Sequence, residues 1–142
     1  MRTIISRSPE ETRRIAREMG RKLKQGNVVA LFGKLGAGKT VFVQGLAEGL
    51  GIPPNWAKSP SFTLIRVFAG IIPFYHLDLY RLEDPLSEDL DWQEIFEMGI
   101  SAVEWAEKIE EILPPGTTKV RLKVKGKRIR EIEIENDPCF GN

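Results

Sequence analysis

A chain of 142 residues with 42% hydrophobic content has the size of one globular domain and can bury one continuous core. Its 21 basic and 20 acidic residues nearly cancel, which excludes a chain-wide field drawing it onto nucleic acid or an anionic membrane and leaves any RNA contact local or indirect. The single cysteine, Cys139, excludes a disulfide framework and a cysteine-rich zinc site, and the longest purely apolar run, Val28 to Phe32, is far too short to cross a bilayer; a soluble protein of the reducing cytoplasm is expected.

In chain order, Ser8-Pro9-Glu10-Glu11 reads as a helix start, with Ser8 as cap, Pro9 in the first helical position and Glu11 able to return a bond to the cap. Ile15, Met19 and Leu23 repeat every fourth residue, so this helix buries one stripe and ends near Gly26. Asn27 to Phe32 is a β-branched, wholly apolar strand of the kind covered on both faces in a parallel sheet. A glycine-rich loop follows, and from Lys39 a second helix places Phe42, Val43, Leu46, Ala47 and Leu50 on one side, with Gly51 as its stop. Phe62 to Phe68 and Ile71 to Leu77 read as a hairpin around Ala69-Gly70. Asp84 to Phe96 reads as short helix plus loop, Ala102-Val103-Glu104 as a short strand, and Glu107 to Leu113 as a short helix ended by Pro114-Pro115. Val120 to Lys125 and Ile129 to Glu135 alternate apolar and charged residues, which predicts a second hairpin with one wet face. Together these predict a single three-layer α/β domain over residues 1–142 with a mixed, mainly parallel sheet, β-hairpins and a frayed tail from about 136 to 142.

Gly33-Lys34-Leu35-Gly36-Ala37-Gly38-Lys39-Thr40 meets the pattern G-x-x-x-x-G-K-[ST] between an apolar strand and an amphipathic helix. Backbone amides must point inward at phosphate oxygens there, and bulkier side chains would block both the dihedrals and the approach. Lys39 supplies a cation for the β and γ phosphates, Thr40 a hydroxyl ligand for Mg²⁺, and the helix its positive end. The bland alternative is a glycine loop that only joins strand to helix. Asp78, closing an apolar run, is either the carboxylate that organises the metal or a turn former before Leu79. Glu104 either positions water and metal or is simply solvated, and His76 reads as hydrogen-bonded packing rather than a ligand. Trp105 reads as a core or edge aromatic. Ser59, Ser61 and Thr63 form either a γ-phosphate-sensing segment or an ordinary turn, and Arg81 either a transition-state cation or half of a surface ion pair.

Taken in order, the glycine loop, Ser59-Pro60-Ser61-Phe62-Thr63-Leu64, His76-Leu77-Asp78-Leu79-Tyr80-Arg81-Leu82 and Val103-Glu104-Trp105 resemble the TsaE family, small bacterial P-loop ATPases of tRNA threonylcarbamoyladenosine formation. The resemblance implies ATP and Mg²⁺ as ligands, with Gly33, Leu35, Gly36, Ala37, Gly38, Lys39, Thr40 and Val41 around the nucleotide, and Thr40, Asp78 and Glu104 toward the metal. It further implies that the opening helix and last hairpin approach the adenine through Thr12 and Arg128, and that the protein works by docking on a complex of TsaD and TsaB. Two departures stand out: Lys34 occupies a position usually acidic in that family, and Ser61 one usually held by threonine. A small P-loop kinase is the rival expectation, although no arginine-rich lid is visible; a non-hydrolysing nucleotide sensor is the other.

Overall fold

The structure, a computed structural model, describes residues 1–53, 56, 65–87 and 89–140. The elements in order are β1 (Arg2–Ser6), α1 (Pro9–Gly20), β2 (Val28–Phe32), α2 (Lys39–Gly49), β3 (Ile65–Phe68), β4 (Phe74–Asp78), α3 (Trp92–Met98), β5 (Ile100–Glu104), β6 (Thr118–Val124) and β7 (Arg130–Glu135). Short 3₁₀ segments cover Pro85–Ser87 and Ala106–Ile112.

The seven strands of the described residues form one mixed sheet in the order β1-β7-β6-β2-β5-β4-β3. The central pairs β6–β2, β2–β5 and β5–β4 are parallel, and the two predicted hairpins, β3–β4 and β6–β7, supply antiparallel edges. β1 extends the sheet antiparallel to β7. The sequence carries no clear signal for that strand, because Arg2 to Ser6 is short and borders a strong helix signal, while its partner lies more than a hundred residues away.

Burial follows the periodicities. β2 and β5 are buried on both faces, as their apolar runs predict, and separate two cores. One lies under α1 and α2, around Phe42, Leu46, Phe74 and Ile132; the other lies under α3 and the Ala106–Ile112 segment, around Leu77, Leu79, Phe96 and Ile109. Helices on both faces complete the three layers. On β6 and β7 the alternation holds: Val120, Leu122, Ile132 and Ile134 face the core. The solvated face carries the diagonal pairs Arg121–Glu135 (3.1 Å), Lys123–Glu133 (3.0 Å) and Lys125–Glu131 (3.4 Å).

Ser8 caps α1 as read, its Oγ accepting from the Glu11 N–H at 3.1 Å, with Pro9 in the first turn. The helix ends at Gly20, earlier than expected, because a turn leads from there to Gly26. α2 stops at Gly49, and Gly51, with φ of 81°, turns the chain away as predicted. The first residues of the expected tail, Asn136 and Asp137, are held by side-chain contacts. Thr118 Oγ1 donates to the Asn136 carbonyl at 2.7 Å, and Arg2 pairs with the buried Asp137 at 2.7 Å.

α1 and α2 approach closely enough to be fixed by missing side chains. A β-carbon on Gly45 would lie 2.4 Å from the Arg13 carbonyl oxygen, and one on Gly49 would lie 2.3 Å from that of Arg17. This contact seats the start of α1, including Thr12, against the loop that begins α2. Gly45→Ala is therefore expected to destabilise the fold by about 1–3 kcal/mol through forced separation of the helices, measured as a lower urea midpoint with unchanged slope.

Candidate nucleotide-binding site

The loop from Gly33 to Gly38 leaves β2 and enters α2 without a side-chain cap; Gly38, at φ 105° and ψ 17°, occupies the cap position. The first intrahelical bond runs from Phe42 N–H to the Gly38 carbonyl at 2.9 Å. The amides of Gly38, Lys39, Thr40 and Val41 thus have no intrahelical acceptor and form a cluster of donors at the positive end of the helix. Gly36 and Gly38 have positive φ, which only glycine adopts cheaply, while at Gly33 a β-carbon would lie 2.8 Å from the Leu122 carbonyl oxygen. The glycines are required by backbone shape and by the closeness of β6.

Lys39 is buried and folded back over the loop. Its ammonium donates to the Gly33 carbonyl and, at 3.2 Å, to that of Lys34, and it lies 3.8 Å from the centre of the Trp105 ring. Burial pulls its pKa below the usual 10.5, and the carboxylates of Glu104, Glu107 and Asp78, in that order, push it back up. Trp105 takes a left-handed backbone, φ 60° and ψ 42°, which is costly for a non-glycine residue and turns its ring across the mouth. Tyr80 packs on it with ring centroids 5.1 Å apart.

The sheet order decides which carboxylate meets Thr40. β5 is the immediate neighbour of β2, with Glu104 opposite Leu31, whereas Asp78 lies opposite Glu104 on β4, one strand further out. One strand spacing is about 4.8 Å, so Glu104 is the nearer group. Thr40 Oγ1 lies 3.3 and 3.4 Å from its two carboxylate oxygens. Glu104 is buried, and His76 Nε2 holds its Oε2 at 2.7 Å. His76 Nδ1 is buried without a partner among the described residues. Asp78 is exposed at the same mouth, its Oδ1 accepting the Tyr80 N–H at 3.1 Å, so it forms the turn and still lines the site. Exposed Leu35 lies at this mouth too, together with Thr40 and Val41.

On the other side of the loop, a cavity of about 200 Å³ is bounded by Thr12, Gly36, Ala37, Gly38, Val41 and Arg128. The two residues expected there from the resemblance, Thr12 and Arg128, do come together, with different roles. Thr12 is buried, its hydroxyl 2.6 Å from that of Ser6, and Arg128 is exposed and paired with Glu10 at 3.2 Å. Arg130, which the sequence did not single out, makes the closer connection. It donates to the Ala37 carbonyl at 3.0 Å and the Gly36 carbonyl at 3.2 Å, and from the hairpin side to the Gly126 and Ile129 carbonyls at 3.1 and 3.0 Å. The last hairpin is thereby tied to the loop. Ser59, Ser61 and Thr63 lie outside the described residues.

The donor set suits a polyphosphate and a hard cation. Uncapped amides and a lysine face one mouth, and a hydroxyl with two carboxylates supplies only oxygen ligands. Among the described residues no three His, Cys, Asp or Glu side chains gather into a protein-only metal cage. Mg²⁺ needs none, since it is usually shared between one or two carboxylates, water and substrate phosphates.

The fold and site define a protein of the P-loop NTPase-like class. The family profile described as "Threonylcarbamoyl adenosine biosynthesis protein TsaE" matches residues 6–132, and the chain belongs to the TsaE family. The tRNA threonylcarbamoyladenosine biosynthesis protein TsaE of Bacillus subtilis is 47% identical over 88% of this chain and 79% of its own length. That of Treponema pallidum is 42% identical over 92% of this chain and 97% of its own. The crystal structure of Bacillus subtilis YdiB superimposes with a TM-score of 0.77 at 40% identity, covering 92% of this chain and 82% of that one. The resemblance drawn from the four motif stretches is borne out.

Because Glu104 is the largest charge opposing desolvation of Lys39, Glu104→Gln is expected to lower the Lys39 pKa further below its wild-type position. Side-chain NMR titration of Lys39 measures this directly; an unchanged or higher value contradicts the described coupling.

Proposed function

We propose that this chain binds ATP with Mg²⁺ at the glycine loop, hydrolyses it, and serves tRNA N6-threonylcarbamoyladenosine formation by docking on a complex of TsaD and TsaB. The biosynthetic role carried in the names of its relatives supports the pathway. One observation supports the chemistry above the others: the Thr40 hydroxyl meets the buried, histidine-held Glu104 at 3.3 Å beside an uncapped helix end.

The amides of Gly36 to Val41 would take the phosphate oxygens, and Lys39 would exchange its two carbonyl acceptors for anionic ones, which bind it more strongly. Thr40, Glu104 and Asp78 would hold Mg²⁺, which supplies positive charge against the phosphate oxygens. With His76 fixing one oxygen of Glu104, the carboxylate is oriented to position a water for attack on the γ-phosphorus. Lys39 is the only cation among the described residues lining this mouth, so charge developing in the transition state is incompletely countered. Slow turnover by the isolated protein and faster turnover in the assembly follow, since an added arginine is worth about 10³–10⁵ in such reactions. A near-neutral chain also fits tRNA being reached through the partner complex.

The test is ATP hydrolysis by the chain alone, with TsaD and TsaB, and with small phosphate acceptors. Stimulation of tenfold or more by the partners is expected, with Lys39→Ala inactive and Glu104→Gln reduced by about 10²-fold in kcat. Robust phosphate transfer to an acceptor would replace this reading by the kinase, and nucleotide binding without turnover in any mixture by the sensor.

A further inference from the structure

At the amino ends of β2, β5 and β6, opposite the glycine loop, lies a second and larger hollow of about 740 Å³. Leu86, Trp92, Phe96, Ile112 and Pro114 line it, and the exposed Glu97 and Glu111 stand among them. The Trp92 and Phe96 rings, one turn apart on α3, form an aromatic wall with centroids 5.9 Å apart. An apolar recess of this size on the surface marks a binding site more often than a packing fault.

The two glutamates at the hollow, and the acidic stretch of chain that leads to it, are unneutralised among the described residues. From Leu82 to Glu107 the sequence contains no lysine or arginine, while acidic residues recur throughout. Among the described residues, none of Glu83, Asp84, Asp89, Glu94, Glu97 and Glu111 takes part in an ion pair. By contrast, Glu131, Glu133 and Glu135 on β7 are each paired with a basic residue of the neighbouring strand or its turn. Such a rim disfavours nucleic acid and anionic lipid, and favours apolar side chains flanked by lysine or arginine. The chain's own basic hairpin tip is a poor occupant, because Lys125 and Arg128 are already paired with Glu131 and Glu10.

We propose that this hollow docks a basic segment of a partner protein, with an aliphatic or aromatic side chain seated against Trp92 and Phe96 and cations beside Glu97 and Glu111. An occupant there leaves the glycine-loop mouth open, so docking and nucleotide binding are compatible.

The experiment titrates the ¹⁵N-labelled full chain with a short amidated peptide carrying leucine and phenylalanine between lysines, followed by amide NMR. Saturable shifts centred on α3 and on residues 112–114 are expected, weakened by about threefold or more between 50 and 500 mM salt as exposed charges are screened. The double variant E97K/E111K changes only exposed side chains and is expected to keep its unfolding temperature while losing at least tenfold in affinity. Absence of shifts at the hollow overturns the proposal, as does an equal response to a glutamate-flanked peptide of the same core. Shifts at the hollow that follow protein concentration alone would reassign it to a second copy of the chain, and the same shifts produced by an RNA hairpin would reassign it to nucleic acid.

Discussion

The uncapped amino end of α2 is the constraint around which the site is arranged. Four amides without intrahelical partners, together with the helix dipole, place a local positive potential at Gly38 to Val41, and no serine, threonine or acidic cap satisfies it. The surroundings keep that end open and rigid. Gly33 lets the loop pass against Leu122, Arg130 ties the Gly36 and Ala37 carbonyls to the last hairpin, and glycine contacts press α1 onto α2. Lys39 adds a cation that burial alone would disfavour and that three carboxylates sustain. Two of the three, Glu104 and Asp78, line the mouth together with Thr40, so the charges that sustain the lysine also place carboxylate oxygen beside the hydroxyl.

The net charge of +1 conceals a strong partition. Acidic residues of β7 are absorbed by cross-strand pairs that, at partly exposed positions, contribute about 0–1 kcal/mol each. Among the described residues those between β4 and β5 take part in no ion pair, and one of them, Glu97, stands with Glu111 at an apolar hollow at the far end of the sheet. The molecule therefore presents an anion-accepting mouth at one end of its parallel strands and an anionic, apolar recess at the other. The Ala106–Ile112 segment spans the distance between them, following Trp105 at the mouth and ending with Ile112 at the recess.

What the sequence disclosed was local. The Ser8 cap, the apolar β2 run, the glycine loop and the alternation of β6 and β7 are each written within a few residues, and each appears in the fold as read. What it withheld depends on strand order and long-range pairing. Glu104 and Asp78 look alike in sequence, and only the placement of β5 between β2 and β4 makes Glu104 the group beside Thr40. His76 reads as hydrogen-bonded packing, and its partner is a site carboxylate 28 positions away. Arg130 sits in an alternating strand where a basic residue signals nothing, and its reach to Ala37 spans 93 positions. Trp105 reads as a core or edge aromatic and does pack at the edge of the second core, while its left-handed backbone also carries its ring over Lys39.

The central claim is that the loop amides and Lys39 are an anion cradle. A crystal structure of the chain with Mg²⁺ and a non-hydrolysable ATP analogue tests it most directly. Phosphate oxygens are expected on the amides from Gly36 to Val41, with the Lys39 ammonium moved off the Gly33 and Lys34 carbonyls onto them. An analogue bound elsewhere, with Lys39 still on those carbonyls, would contradict it.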